Sequence, residues 1–262
     1  MHKFLLTVLL LTGLTACQTT GTNTGDVGYK QGDILEGNFR FGFGELVSPL
    51  PEGQWEVAAT HTKRNSANEV NLYLLLVQEK DGIIANTIEV STNDQPTSGG
   101  FKATKSCSRK GVHFLKTLDN FGGGKQDCMW LNHSRGEIRS TNWYGRYWKT
   151  AVKYTADKGY QWPNVVLISG HTFAKENQYF AYTLAVNPEI YGFEKPVNHE
   201  WKTSEWHPNN TAKDKAKTSF VEKLKSLTVS YHEKVKAGWE GRLITGEVES
   251  FSNNELQLSK TQ

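Results

Sequence analysis

The chain has 262 residues, with 30 Lys+Arg against 27 Asp+Glu and a formal charge of +3 at neutral pH. That near balance excludes the strong basic field of a general nucleic-acid binder, and the length suits one large domain. Aromatic residues and glycine are plentiful (12 Phe, 10 Tyr, 8 Trp, 24 Gly) while methionine is scarce at 2, a balance that favours strands and turns over a helical bundle.

The N-terminus carries Lys3, an apolar run from Phe4 to Leu14, and then Leu14-Thr15-Ala16-Cys17. About eleven residues of helix reach roughly 16 Å, half of a hydrocarbon core, so the run suits a secretory signal better than a permanent span. Leu-Thr-Ala-Cys resembles the lipobox of a bacterial lipoprotein. The resemblance implies that residues 1–16 are a signal peptide and that Cys17 is the lipidation site. It also implies a membrane partner reached through the lipid. With Gln18 rather than Asp after the cysteine, the outer membrane is favoured over the inner in a Gram-negative envelope. An ordinary cleaved signal with a coincidental cysteine is the alternative. Residues 17–32 are polar and rich in Gly and Thr, too poor in apolar side chains to offset ordering entropy, and are expected to form a flexible tether. Residues 33–262 are then one globular domain.

Strand signals begin at Gly53–Lys63. Val70–Glu79 and Ile83–Ser91 flank Lys80-Asp81-Gly82, a strong hairpin signal because both central positions tolerate positive φ. Lys125–His133 predicts a further strand. Pro163–Phe173 and Gln178–Val186 predict a second hairpin around Ala174–Asn177. Once Cys17 is assigned to lipid, Cys107 and Cys128 remain, and in an exported chain an even remainder reads as one disulfide. It would close a loop holding Phe121 to Gly124, a stretch expected to be floppy; a metal pair is the competing reading, but the spacing is far from that of a zinc motif.

Two helices are predicted. Asn142–Lys158 places Trp143, Tyr147, Ala151 and Tyr154 at helical spacing. Thr211–Ala237 carries the apolar stripe Phe220, Leu224, Leu227, Tyr231 and Val235, with Thr211 and Asp214 at capping-box spacing and Gly238 as the expected stop. Together these elements predict an α+β fold. It has a mostly antiparallel sheet of β-hairpins, packed by a long C-terminal amphipathic helix and a shorter aromatic-rich one.

Chemistry is harder to find. His232-Glu233-Lys234-Val235-Lys236 approaches a zinc-protease motif, but Lys236 stands where the second imidazole is needed, so His232 is expected to be solvated. Ser169-Gly170-His171 is expected at a strand end, with a turn serine as the plain reading. His133, His171, His199 and His207 form no known ligand motif, so no metal and no cofactor is expected, and no catalytic residue is assigned. Trp143, Tyr144, Arg146 and Trp148 crowd rings into one short stretch. They are expected to present a contact surface, the competing expectation being a core packed on the sheet. The long helix bears seven lysines between Lys213 and Lys236 against Asp214, Glu222 and Glu233, suggestive of an anionic surface or of an ordinary solvated face. These features together lead to a lipid-anchored envelope protein with a binding or structural role toward glycan, another envelope protein or anionic lipid. The alternative is an envelope hydrolase with a site assembled around His171 or His133.

Overall fold

A computed structural model of the chain describes residues 27–64, 69–97, 99–121, 124–136, 146–197 and 200–247. Three short strands, β1 (Ile34–Leu35), β2 (Phe39–Arg40) and β3 (Val47–Ser48), lead into β4 (Trp55–Arg64), β5 (Val70–Lys80) and β6 (Ile83–Asn93). After a 3-10 turn at Lys105–Ser108 come β7 (Phe114–Phe121) and β8 (Lys125–Arg135), helix α1 (Arg146–Asp157), β9 (Val165–Lys175) and β10 (Gln178–Val186). The short helix α2 (Pro208–Thr211) and the long α3 (Lys215–Trp239) follow. Eight strands form one antiparallel sheet in the order β1-β4-β5-β6-β10-β9-β8-β7, with α3 on one face and α1 on the other. The α+β architecture expected from the sequence is the one observed.

Local chemistry explains the connections. Asp81 and Gly82 both take positive φ (54° and 79°), the geometry that turns β5 into β6. Glu176 (φ 52°) with Asn177 turns β9 into β10, two residues rather than the four expected. The Cys107–Cys128 disulfide is formed, with Cα atoms 5.5 Å apart, and ties the 3-10 turn to β8. Its loop also holds a strand that the sequence does not predict, β7, paired with β8; of the stretch expected to be floppy, Phe121 ends β7, and Gly122 and Gly123 lie outside the described residues. β7 is an edge strand with exposed Lys116, Thr117 and Leu118, so it lacks the apolar alternation that marks a strand in sequence.

Helix α3 starts one turn later than expected. Asp214 caps it by accepting the Lys217 amide (3.1 Å), while Pro208–Thr211 forms the separate α2, capped by His207. Its stripe of Phe220, Leu224, Leu227, Tyr231 and Val235 is buried on the sheet, worth about 2 kcal/mol per side chain. Gly238 does not stop the helix. It lies within it, against the Val47 carbonyl, where a Cβ would stand 1.9 Å from the oxygen. The left-handed residue past the end is Gly241 (φ 70°).

Residues 27–32, expected within the tether, are docked on the domain. Val27 is buried, Tyr29 donates to the Arg40 carbonyl (2.8 Å), and Gln31 donates to the Ala58 carbonyl (2.7 Å). One apolar anchor and these hydrogen bonds fasten residues 27–32 to the domain. Cys17 and residues 18–26 lie outside the described residues. Among the described residues no helix is long and apolar enough to cross a membrane.

Candidate functional site

Of the expected contact surface, Trp143 and Tyr144 lie outside the described residues, and Arg146 is the first residue of α1. Trp148 is a correction. It is fully buried among Ala59, Leu75 and Val77, with its indole donating to the Tyr147 hydroxyl (3.0 Å) and Trp162 edge-on at 5.8 Å. Helix α1 lies over β4 and β5, and Trp148 and Ala151 form the side that seals that contact. Trp206 is likewise buried, while Trp201 stays partly exposed. Three of the seven lysines are compensated locally: Lys217 pairs with Glu205 and Asp214, Lys225 with Glu222, and Lys236 with Asp127.

His232 is a second correction, for it is wholly buried between α3 and the sheet. Ser169 and His171 are mid-strand in β9, two residues apart and so on one face, opposite Leu131 and Met129 of β8. A continuous chain results. Ser169 Oγ lies 3.0 Å from His171 Nε2; His171 Nδ1 lies 3.1 Å from His232 Nδ1; His232 Nε2 lies 2.8 Å from Asp127 Oδ1. Lys236 Nζ completes it, 2.7 Å from Asp127 Oδ2. A carboxylate only accepts, so His232 carries its proton on Nε2. With both rings neutral, His171 then donates from Nδ1, and its Nε2 takes the Ser169 hydroxyl. Burial, then the neighbouring His232, pushes the His171 pKa well below its ordinary value. Burial pushes the Asp127 carboxyl up, but the hydrogen bonds from His232 and Lys236 prevail and hold it below the usual range.

This order resembles a nucleophile with its base and orienting acid, yet its setting differs. Ser169 is 5% exposed, and its cross-strand neighbours are Leu131 and Leu184, both in the core. A hydroxyl buried among leucines has to donate somewhere, and His171 receives it. The chain satisfies a polar spine under α3, with Ser169, His171 and His232 buried beneath the helix.

His133 leads to a different cluster. Its Nε2 donates to the Trp201 carbonyl (2.9 Å) with the two rings stacked at 5.6 Å, while His113 donates to the Trp206 carbonyl (2.8 Å). His207 stands edge-on to His133 at 5.7 Å but is engaged as the α2 cap. Burial lowers the His133 pKa to about 4. Among the described residues no group of three His, Cys, Asp or Glu has the geometry of a metal site. His199 lies outside the described residues.

The opposite face of the sheet is arranged differently. One cross-strand row reads Leu75, Glu89, Thr183, Gly170, Trp130 and Leu115. The next reads Tyr73, Ser91, Ala181, Thr172 and Cys128. Helix α1 covers the Leu75 end, and the 3-10 turn with Arg109 covers the Trp130 end. Between them the floor is small, and Glu89, Ser91, Ala181 and Thr183 are all partly exposed. The Tyr147 hydroxyl donates to Glu89. The Trp130 ring lies over Gly170, where a Cβ would meet it at 2.2 Å, and the Arg109 guanidinium sits 3.9 Å above the indole centroid. Two polar atoms here are buried without a hydrogen-bond partner, the Trp130 Nε1 and the Thr183 Oγ1. A buried orphan donor costs about 1–3 kcal/mol; the Trp206 Nε1 and the His133 Nδ1 are unpaired as well, and what sets this pair apart is the partly exposed Glu89 beside it.

None of Glu89, Thr183 and Trp130 stands out as a motif. What joins them is strand register, and period-2 facing within β6, β8 and β10 is the only sequence signal that could have linked them. No protein-family model, no curated protein and no solved structure matches the chain.

Proposed function

We propose that the chain is an exported lipoprotein, acylated at Cys17 and held at the cell envelope, whose domain binds a ligand there without chemical turnover. Support for the address comes from the lipobox-like Leu14-Thr15-Ala16-Cys17 and from the disulfide that an oxidising compartment permits. Support for binding rests on one observation: the unpaired Trp130 indole N–H and Thr183 hydroxyl under the partly open face between α1 and the 3-10 turn. Nine residues separate Cys17 from the docked Val27, so the domain stays within roughly 35 Å of the lipid. The tether positions the domain close to the bilayer and does not let it range far.

Metabolic labelling with palmitate, followed by fractionation, tests the anchor. The label is expected in the membrane fraction and is expected to vanish in Cys17→Ser; an unlabelled wild-type chain overturns the anchor. The hydrogen-bonded Ser169 and His171 favour the rival hydrolase, and a fluorophosphonate probe decides between the readings. Binding without turnover predicts no label on Ser169, whereas label lost in Ser169→Ala would establish a reactive serine.

A further inference from the structure

We infer that the partly open sheet face between α1 and the 3-10 turn is a binding site for an uncharged, hydroxyl-rich ligand, a short oligosaccharide. This rests on the binding reading above and names the ligand class. Three groups define the demand. The Glu89 carboxylate, already holding the Tyr147 hydroxyl, can only accept; the Trp130 N–H can only donate; the Thr183 hydroxyl does either and has no partner. An anion would satisfy the indole but be repelled by Glu89. An ammonium would satisfy Glu89 but leave the indole N–H facing another donor. A run of hydroxyls donates at one end and accepts at the other, so it answers all three.

Shape agrees with chemistry. Glu89 pairs across with Thr183, and Thr183 with Gly170, over which the Trp130 ring lies. Two interstrand steps make about 10 Å from the carboxylate to the indole edge, the length of a short oligosaccharide rather than of a single ring. Small side chains, Ser91 and Ala181, keep the floor low enough for a ligand to lie along it. Tyr73, half-buried beside Ser91 with its ring stacked on Tyr147 at 5.4 Å, bounds the face on the α1 side. At the other end a ligand reaches the N–H by moving the guanidinium of the exposed Arg109.

The test is calorimetric titration of the full acylated chain, held in a zwitterionic detergent without sugar headgroups. Maltotriose, cellotriose and chitotriose are the probes, with inorganic phosphate, choline and trialanine as controls. At least one trisaccharide is expected to bind while phosphate and choline do not. Thr183→Val and Glu89→Gln are each expected to weaken that binding about tenfold or more, with the far-UV spectrum unchanged. Binding of none of the three saccharides, preference for a control, or binding indifferent to both substitutions overturns the inference. Trialanine bound in preference, with the same sensitivity to Thr183→Val, would leave the binding reading standing and replace the ligand class, whereas an unlabelled Cys17 would strike the anchor alone.

Discussion

Replacing His232 with phenylalanine isolates the spine under α3. The substitution keeps an aromatic ring against Phe173, whose centroid lies 4.9 Å from that of His232, and removes both nitrogens. Two partners are lost. His171 keeps a buried Nδ1–H with no acceptor, and Asp127 keeps only Lys236. An orphaned buried donor costs about 1–3 kcal/mol, and one lost hydrogen bond to a charged acceptor adds a comparable amount, so the variant is expected to lose about 3 kcal/mol. The triple variant Ser169→Ala/His171→Phe/His232→Phe removes the hydroxyl and both imidazoles, leaving Asp127 with Lys236 at a half-buried site. Because apolar groups of similar shape replace the whole chain, its loss is expected to be no more than about 2 kcal/mol, smaller than that of His232→Phe alone. Urea unfolding followed by circular dichroism measures both. Losses that add across the three positions, or a single variant costing under about 1 kcal/mol, would refute the claim that these groups act as one satisfied network.

Two further predictions concern stability. Gly238→Ala places a Cβ 1.9 Å from the Val47 carbonyl oxygen, so it is expected to destabilise by at least about 2 kcal/mol, against the stabilisation of about 1 kcal/mol that alanine brings to an unobstructed helix; the sign of the change in urea midpoint checks it. Acid is expected to weaken the domain well above the carboxylate range. His113, His133 and His171 are all held below the ordinary 6.5 by burial, His133 to about 4. Between pH 6.5 and about 4 the unfolded chain therefore binds protons that the folded one refuses, and stability falls as pH falls. His133 alone contributes about 2 kcal/mol of loss by pH 5. Unfolding free energies measured from pH 7.5 to 5 should show this slope, and His133→Gln should reduce it by about one proton; an unchanged slope would contradict a neutral, buried His133.

What the sequence discloses follows from where each signal is local. The β5–β6 hairpin is legible because Asp81-Gly82 encodes its own turn, and α3 because five apolar residues recur at helical spacing. The disulfide is legible by counting cysteines. Strand β7 is not, since an edge strand with exposed lysine and threonine carries no apolar alternation. The burial of His232 was within reach: Leu224, Thr228 and His232 are successive i,i+4 positions beside Tyr231 and Val235, so the buried stripe is wider than its hydrophobic members. The partners Asp127 and Ser169 come from β8 and β9, and only the register of two strands sets them opposite the helix.

The two faces of the sheet carry polar groups to opposite ends. Under α3, each of the four side chains from Ser169 through His171 and His232 to Asp127 meets its neighbour, and α3 itself closes over them. A polar network that is complete without a guest has its free energy already engaged in holding a helix on a sheet, and recruiting it for chemistry would mean dismantling the core around Leu131 and Leu184. On the other face the indole of Trp130 and the hydroxyl of Thr183 remain unmatched while Glu89 stays partly exposed beside them. Satisfying those two atoms internally would have been simple, since valine at position 183 removes one deficit outright. Thr183→Val is therefore expected to leave the folded domain as stable as before or more so, while diminishing the saccharide binding. A residue whose removal helps the fold and harms the ligand is the signature that separates a binding face from an architectural one, and a loss of stability in Thr183→Val would place that face with the architecture instead.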